Sequence, residues 1–146
     1  MISSAIICLV VGVADGDTLT VRCGTPGTYE QVKIRVAEID APEKNQAFGQ
    51  SSKQHLSDLC FQQQATITPR TKDRYGRTVA RVQCQGEDAN AAMVRAGLAW
   101  AYTKYLTDPE IKRLEAQARA ERVGLWADAD PVPPWEFRKG NTSTSE

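Results

Sequence analysis

The chain has 146 residues, of which 41% are hydrophobic and 25% are charged. This length and composition are typical of one globular domain and exclude a disordered chain. Eighteen basic residues balance eighteen acidic ones, so the whole surface cannot act as a polyanion-binding face, although a local basic patch is still allowed. No apolar run is long enough to predict a membrane-spanning helix.

The first elements are predicted to form a three-stranded meander. Alternating apolar residues predict strands at about 5–14, 17–23 and 30–38, separated by turns at "DGDT" (15–18) and "GTPG" (24–27). The apolar start "MISSAIICLVVGV" has no basic segment before the apolar run and leads directly into the first turn. We therefore interpret it as the first strand rather than as an uncleaved signal sequence.

Helices and two more strands follow the meander. Helices are predicted at 49–63, 89–96 and 109–123, with strands at 65–71 and 77–84. Asp88 and Asp108 are the predicted N-cap residues of the second and third helices. Three strands, a helix and two strands form the order of an oligonucleotide/oligosaccharide-binding (OB) barrel. The predicted fold class is therefore α+β, with a five-stranded Greek-key OB barrel and three α-helices.

The composition changes near the end of the chain. Residues 131–146 are first rich in proline and then polar. We expect residues 1–130 to form the folded domain and residues 131–146 to form a tail of little fixed structure.

Four cysteines, at positions 8, 23, 60 and 84, lack the C-x-x-C spacing of zinc sites. If the first two strands pair about the turn at Asp15-Gly16, Cys8 lies opposite Cys23, where a disulfide is geometrically possible. Two small buried thiols fit the same pattern. The other two cysteines both face the predicted core and could form a second bridge. An even number of cysteines suggests an oxidising compartment, reached through a removed export signal, so a secreted or periplasmic location is expected.

Four acidic residues flank the first turn and the end of the third strand: Asp15, Asp17, Asp40 and Glu43. Taken alone, "DGD" is typical of a hairpin turn, and an aspartate after a strand is common. In an antiparallel meander, however, Asp17 and Asp40 lie at the same end of the sheet and can meet. Two close carboxylates repel each other and need a proton or a cation. Oxygen ligands without histidine or cysteine favour a hard ion such as Ca²⁺.

A basic segment, "PRTKDRYGRTVAR" (69–81), carries five basic residues and one acidic residue. Taken alone, it is equally typical of a solvated hairpin tip. Tyr75 beside these arginines favours nucleic acid binding, because an aromatic ring can stack on a base.

Arg35 lies on the strand face opposite Val32, Ile34 and Val36, which predicts that it points at a substrate rather than into the core. A cation, guanidinium groups and a free carboxylate together indicate phosphodiester hydrolysis. The metal and the arginines would neutralise the charge that develops on phosphorus. A planar guanidinium can bind two phosphoryl oxygens at once, and a carboxylate near the metal can orient or deprotonate water.

Five motifs in matching order and spacing carry a resemblance over about residues 6–127. They are "DGDT" (15–18), "IRVAEIDAPE" (34–43), "DRYGR" (73–77), "NAAMVRAGLA" (90–99) and "EAQARAERVGLW" (115–126). With these motifs the chain resembles the staphylococcal nuclease (thermonuclease) family. The resemblance implies a monomeric, Ca²⁺-dependent nuclease that cleaves DNA and RNA with little sequence preference, prefers single-stranded or denatured substrate, and leaves 3′-phosphates.

The resemblance also implies roles for catalytic and metal-binding residues. Asp17 and Asp40 resemble the Ca²⁺ ligands of the family, and the backbone carbonyl of Ala41 resembles a third ligand. Glu43 resembles the carboxylate that acts on the attacking water. The two catalytic arginines of the family correspond to Arg35 and Arg77.

Three further residues correspond to substrate contacts in the family. Arg74 and Tyr75 match positions that contact the terminal phosphate and the nucleotide, and Tyr102 matches a tyrosine that lies under the base. Position 41 is often threonine in the family, and the loop after Glu43 looks shorter here. The zero net charge predicts weaker nonspecific DNA affinity, with a shallower salt dependence, than in a basic relative.

Other functions fit parts of the pattern. The same barrel occurs as a catalytically silent nucleic-acid-binding or protein-binding module, but such copies lose the acids and arginines that this chain retains. A structural or carbohydrate-binding barrel has no use for two arginines beside a metal site. A glycosidase would use paired carboxylates but not the arginines.

Overall fold

Five strands close into a barrel in the computed structural model, which describes residues 4–102 and 106–143. The barrel strands are β1 (Ile6–Asp15), β2 (Thr18–Cys23), β3 (Glu30–Val36), β5 (Gln64–Lys72) and β6 (Thr78–Cys84). Their order is β3-β2-β1-β5-β6, and a parallel pairing of β3 with β6 closes the ring. The predicted five-stranded OB-like barrel and the α+β class are confirmed. The first strand, which we expected from the apolar start, runs from Ile6.

In the described residues, three two-residue strands and four α-helices complete the fold. The short strands are β4 (Ile39–Asp40), β7 (Glu87–Asp88) and β8 (Trp100–Ala101); β4 pairs with β8, and β7 extends the sheet beyond β6. The helices are α1 (Gly49–Cys60), α2 (Ala89–Arg95), α3 (Pro109–Glu121) and α4 (Pro134–Ser143). In the part of the chain that the structure describes, no helix has the length and apolar character needed to cross a membrane.

The barrel interior is filled by the inward-facing residues of the strands, because side chains alternate between the two faces of a strand. Leu19, Val21, Ile34 and Val36 are at most 1% exposed. Helix α1 covers one end of this core with Leu56, which is fully buried. Ile111, Leu114 and Ala118 form the buried face of α3. Asp108 caps that helix, as predicted, by accepting a hydrogen bond from the backbone N–H of Glu110 at 2.9 Å.

Both possible disulfides are present. Cys8 and Cys23 are bonded across β1 and β2, with their Cα atoms 4.6 Å apart. Residues 9 and 22 are direct partners in that pairing. The turn itself lies one residue later than predicted, since Asp15 pairs with Thr18, and two irregularities in β1 bring the strands back into the predicted register. Cys60, at the end of α1, is bonded to Cys84, at the end of β6. The second bridge thus ties the covering helix to the barrel.

One expectation was wrong. The C-terminal segment does not lack structure, because residues 134–143 form α4, which makes four α-helices in the described residues where three were predicted. Pro134 occupies the first helical position, where its missing N–H and fixed φ are tolerated. Asp88 is the N-cap residue of α2, as predicted, although it makes no side-chain capping bond. Its carboxylate pairs with Arg81 instead, because a nearby guanidinium is a stronger partner than a backbone N–H.

Candidate active site

The turn between β1 and β2 brings Asp17 against the segment that follows β4. Gly16 makes this approach possible, because a Cβ at this position would collide with the side chains of Ser52 and Ala41. The carboxylate of Asp17 accepts a hydrogen bond from the backbone N–H of Ala41 at 2.7 Å and another from the Thr18 hydroxyl at 3.0 Å. Asp17 is only 6% exposed. The turn is therefore fixed both by packing and by polar contacts.

Arg35 lies between the two buried aspartates. Its Nη1 atom is 3.5 Å from Oδ2 of Asp17, and its Nη2 atom is 3.6 Å from Oδ1 of Asp40. The same Nη1 donates hydrogen bonds to the backbone carbonyls of Val36 at 2.9 Å and Ile39 at 2.8 Å. The side chain is 14% exposed, so it is more enclosed than a strand-surface arginine. These contacts hold the guanidinium rigidly beside both carboxylates.

Burial and mutual repulsion shift the pKa values of the aspartates in the acidic cluster. Burial, followed by the negative charge of Asp17, raises the pKa of Asp15 to about 7. Burial also opposes ionisation of Asp17, but the Arg35 charge and several hydrogen bonds outweigh it and keep the pKa of Asp17 below its usual value. The pKa of Asp40 is raised by burial and by the charge of Asp17, in spite of two arginines nearby. The nearby arginines therefore do not fully offset the cost of burying several carboxylates together.

Glu43 and Asp40 share an arginine that comes from α4. Nη2 of Arg138 donates to Oδ2 of Asp40 at 2.8 Å, and its Nη1 donates to Oε2 of Glu43 at 2.6 Å. The side chain of Glu43 is 34% exposed. The backbone N–H of Glu43 donates to the Gln46 side chain, which fixes the start of the loop. Sequence reasoning missed Arg138, although two prolines followed by "WEFRK" indicate a helix start.

The basic hairpin between β5 and β6 ends beside β3, where Val79 is the direct strand partner of Arg35. Arg77 pairs with Asp73 at 2.7 Å rather than with Asp17, Asp40 or Glu43. The guanidinium of Arg74 lies 5.1 Å from the ring centre of Tyr75, which is 69% exposed at the hairpin tip. Direct contacts therefore connect Asp17, Arg35, Asp40 and Ala41, and Arg138 adds Glu43 to them. The ion pair of Arg77 and the ring contact of Arg74 with Tyr75 are made within the hairpin.

Tyr102 follows β8 and lies beside α4. Its ring centre is 5.8 Å from that of Trp135, and its backbone N–H donates to the carbonyl of Glu38 at 2.9 Å. Trp135 in turn meets Trp100 edge-on at 5.5 Å. The tyrosine that we expected under a base is thus packed near the C-terminal helix.

Another buried acid, Glu38, was not singled out from the sequence. Its carboxylate accepts hydrogen bonds from the backbone N–H groups of Thr107 at 3.0 Å and Asp108 at 2.7 Å. Arg70 at 2.6 Å and Arg81 at 3.1 Å form ion pairs with it. Two arginines of the basic segment are therefore engaged by Glu38, and only the remaining positive charges of that segment are available to a substrate.

The acidic cluster offers oxygen ligands, which suit a hard cation, but it offers few of them. Among residues 4–102 and 106–143, no group of three or more His, Cys, Asp or Glu side chains is arranged to hold a metal. Asp17 and Asp40 supply two carboxylates at 6% and 1% exposure. A backbone carbonyl and water would have to complete the coordination shell, as is common for Ca²⁺. The excess negative charge of the cluster is consistent with such an ion.

Comparison with known proteins agrees with this geometry. Residues 33–128 match the family model described as "Staphylococcal nuclease homologue". An "Uncharacterized endonuclease" of Haemophilus influenzae is 48% identical, with the alignment covering 90% of this chain and 72% of that protein. An "Uncharacterized endonuclease" of Escherichia coli O157:H7 is 45% identical, covering 88% and 82%. A "Micrococcal nuclease" of Shigella flexneri is 39% identical, covering 93% and 82%.

Proposed function

The chain belongs to the staphylococcal nuclease family, and from that membership we propose that it is a Ca²⁺-dependent, sequence-nonspecific nuclease. It hydrolyses phosphodiester bonds of DNA and RNA and leaves 3′-phosphates. The observation that carries the proposal is that Arg35 lies within 3.6 Å of the carboxylates of both Asp17 and Asp40, two buried aspartates. The named nucleases and endonucleases among the relatives support the reaction class.

The proposed metal ligands are the carboxylates of Asp17 and Asp40 and the carbonyl of Ala41. Bound Ca²⁺ would polarise the phosphoryl group and lower the cost of the negative charge that develops there. The protein's own contribution is to hold the two carboxylates in place before the ion arrives. The hydrogen bond from the Ala41 N–H to Asp17 links two of the three proposed ligand residues directly.

Arg35 and Glu43 are the proposed catalytic residues nearest to this site. Arg35 is fixed by two backbone carbonyls, so its guanidinium is already oriented before a phosphate binds. Glu43 is partly exposed and can orient or deprotonate a water molecule. Arg77 is the proposed second arginine; to reach a phosphate it must exchange its ion pair with Asp73 for the substrate.

The proposed substrate is single-stranded or denatured nucleic acid. Arg74 and Tyr75 at the exposed hairpin tip would contact the terminal phosphate and the nucleotide, and Tyr102 would lie under the base. Exposed aromatic rings favour unpaired bases, since those bases can stack on them. We further propose that the catalytic unit lies within residues 1–130 and that the protein acts as a monomer.

The two disulfides support function in an oxidising compartment outside the cytoplasm. Disulfides seldom persist where glutathione and thioredoxin keep thiols reduced. We therefore propose a secreted or periplasmic location.

The deciding experiment is hydrolysis of denatured DNA by the purified protein in added Ca²⁺ and again in excess chelator. Arg35→Ala and Glu43→Ala variants run beside it, with Arg113→Ala as a control that removes the same charge from an exposed ion pair on α3. We expect activity that requires Ca²⁺, collapses in the first two variants and is retained in the control. A folded protein that binds oligonucleotides but cleaves none of them would instead be a catalytically silent binding module.

A further inference from the structure

Helix α4 is attached beside the acidic cluster by aromatic packing and hydrogen bonds. Trp135 packs edge-on against Trp100 at 5.5 Å. The Gln46 side chain donates to the carbonyl of Val132 at 2.7 Å and so connects the loop after Glu43 to the segment before α4. These contacts place the helix where one of its side chains reaches the proposed metal ligands.

That side chain is Arg138, and it engages the carboxylate oxygens that a cation would need. Both oxygens of Asp40 lie within 3.4 Å of its guanidinium, with the shorter contact at 2.8 Å. Its other strong contact, at 2.6 Å, is to Glu43, the proposed catalytic carboxylate. One guanidinium therefore bridges a proposed metal ligand and the proposed water-activating group.

The electrostatics of the cluster explain why an arginine binds there. Asp40 is 1% exposed, so its charge needs a nearby positive partner. Arg35 is 3.6 Å away and is also shared with Asp17, which leaves the second oxygen of Asp40 to Arg138. Either a divalent cation or the guanidinium of Arg138 can neutralise the charge of Asp40. Both are positively charged, so they would repel each other if they were bound there together.

The side chain that joins α4 to the acidic cluster is partly exposed to solvent. The side chain of Arg138 is 43% exposed, whereas that of Arg35 is 14% exposed. A cavity of about 180 Å³ lies under the segment that leads into α4, with Gln46, Val132 and Phe137 among its lining residues. Incomplete packing loses dispersion contacts, and segments with few such contacts open at low free-energy cost.

We propose that α4 is a latch on the active site: Arg138 occupies the place of the divalent cation at Asp40 and Glu43, and cation binding and latch closure exclude each other. This inference rests on the proposed function, because it assumes that Asp40 is a ligand of the cation. In the closed state Arg138 also holds Glu43 in an ion pair, so a cation-free protein keeps its water-activating carboxylate engaged. Binding of the cation frees both groups together.

The test uses the full chain and compares the wild-type protein with Arg138→Gln and Arg138→Lys. Calcium affinity is measured by titration calorimetry, and the opening of α4 is followed by amide hydrogen exchange. Arg113→Ala serves as the control, because it removes one positive charge from an exposed ion pair on α3. Circular dichroism first establishes that each variant is folded.

We expect Arg138→Gln to bind Ca²⁺ about tenfold more tightly than the wild-type protein, because no closed state competes. Arg138→Lys should lie between the two, since lysine keeps the charge but cannot bridge both carboxylates in the same way. Calcium should accelerate hydrogen exchange in α4 of the wild-type protein. In Arg138→Gln, exchange in α4 should already be fast without calcium.

Equal or weaker calcium affinity in Arg138→Gln, with α4 exchange unaffected by calcium in the wild-type protein, would overturn the latch while leaving the proposed nuclease intact. Failure of every variant to bind Ca²⁺ would overturn the metal site of the proposed function, and the latch with it. The two failures are therefore distinguishable in one set of titrations.

Discussion

Two buried acids stand two residues apart in the chain, and only one of them is satisfied by the backbone. Glu38 accepts hydrogen bonds from two backbone N–H groups and from two arginines. Asp40 receives its hydrogen bonds from the half-exposed side chain of Arg138, with Arg35 adding a longer ion pair. Glu38 is 3% exposed and Asp40 is 1% exposed, so burial does not distinguish them.

The difference appears in how each carboxyl group ionises. Burial raises the pKa of both, but the backbone donors at Thr107 and Asp108, together with Arg70, bring the pKa of Glu38 below its usual value. The pKa of Asp40 stays above its usual value. A buried carboxylate that the fold fully satisfies is a structural anchor, whereas one balanced by exchangeable side chains can accept a ligand.

The largest expected effect is on stability, from Glu38→Gln. This change removes a buried charge that two arginines require, and we expect the free energy of unfolding to fall by about 3 kcal/mol. Urea unfolding measures it. The matched control is Glu110→Gln, which breaks an exposed ion pair on α3 and should leave the midpoint almost unchanged. A Glu38→Gln variant as stable as the wild-type protein would show that Glu38 is no anchor.

The next effect is on catalysis, from Arg35→Lys. Lysine keeps the positive charge. Its single ammonium group cannot bond both backbone carbonyls and at the same time bind two phosphate oxygens, as a planar guanidinium can. We expect kcat to fall by about 100-fold, equivalent to about 2.7 kcal/mol of transition-state stabilisation. Steady-state hydrolysis of denatured DNA gives the value. Activity within a factor of two of the wild-type protein, in a variant that folds normally, would remove Arg35 from the proposed catalytic set.

A smaller effect is expected in the pH dependence of stability. Because the pKa of Glu38 is lowered in the folded protein from its usual 4.5, its stabilisation is fully present above about pH 4.5 and is lost as pH falls through the lowered value. The stability difference between wild-type protein and Glu38→Gln should therefore be constant at higher pH and shrink in acid. Urea titrations at several pH values measure this difference. A difference that grows in acid would contradict the assigned direction.

The smallest stability effect is expected from Asp40→Asn. Since the fold disfavours the charged form of Asp40, a neutral replacement of the same shape should change the free energy of unfolding by less than about 1 kcal/mol. It should nevertheless abolish measurable calcium binding. Thermal unfolding and calorimetry on the same preparation separate the two effects. A loss as large as that expected for Glu38→Gln would make Asp40 a structural residue.

Local patterns in the sequence were enough for most of the barrel. Period-two alternation located β1, β2 and β3. The predicted pairing of Cys8 with Cys23 is present, although two irregularities in β1 rather than the turn alone set that register. The same reasoning placed Asp17 and Asp40 at one end of the sheet. Such inferences succeed because strand periodicity and turn geometry depend on residues close together in the chain.

Only the tertiary structure shows which charged side chains form ion pairs with each other. Arg138 and Asp40 are 98 residues apart in the chain, and Glu38 and Asp108 are 70 residues apart. No local pattern distinguishes an arginine that will reach such a partner from one that will face water, so the ordered C-terminal helix and the Glu38 cluster were missed. The sequence by itself determined the barrel and the acidic end of the sheet. Only the folded chain determined which carboxylates are anchored and which are left for a ligand, because that depends on donors brought together from distant segments.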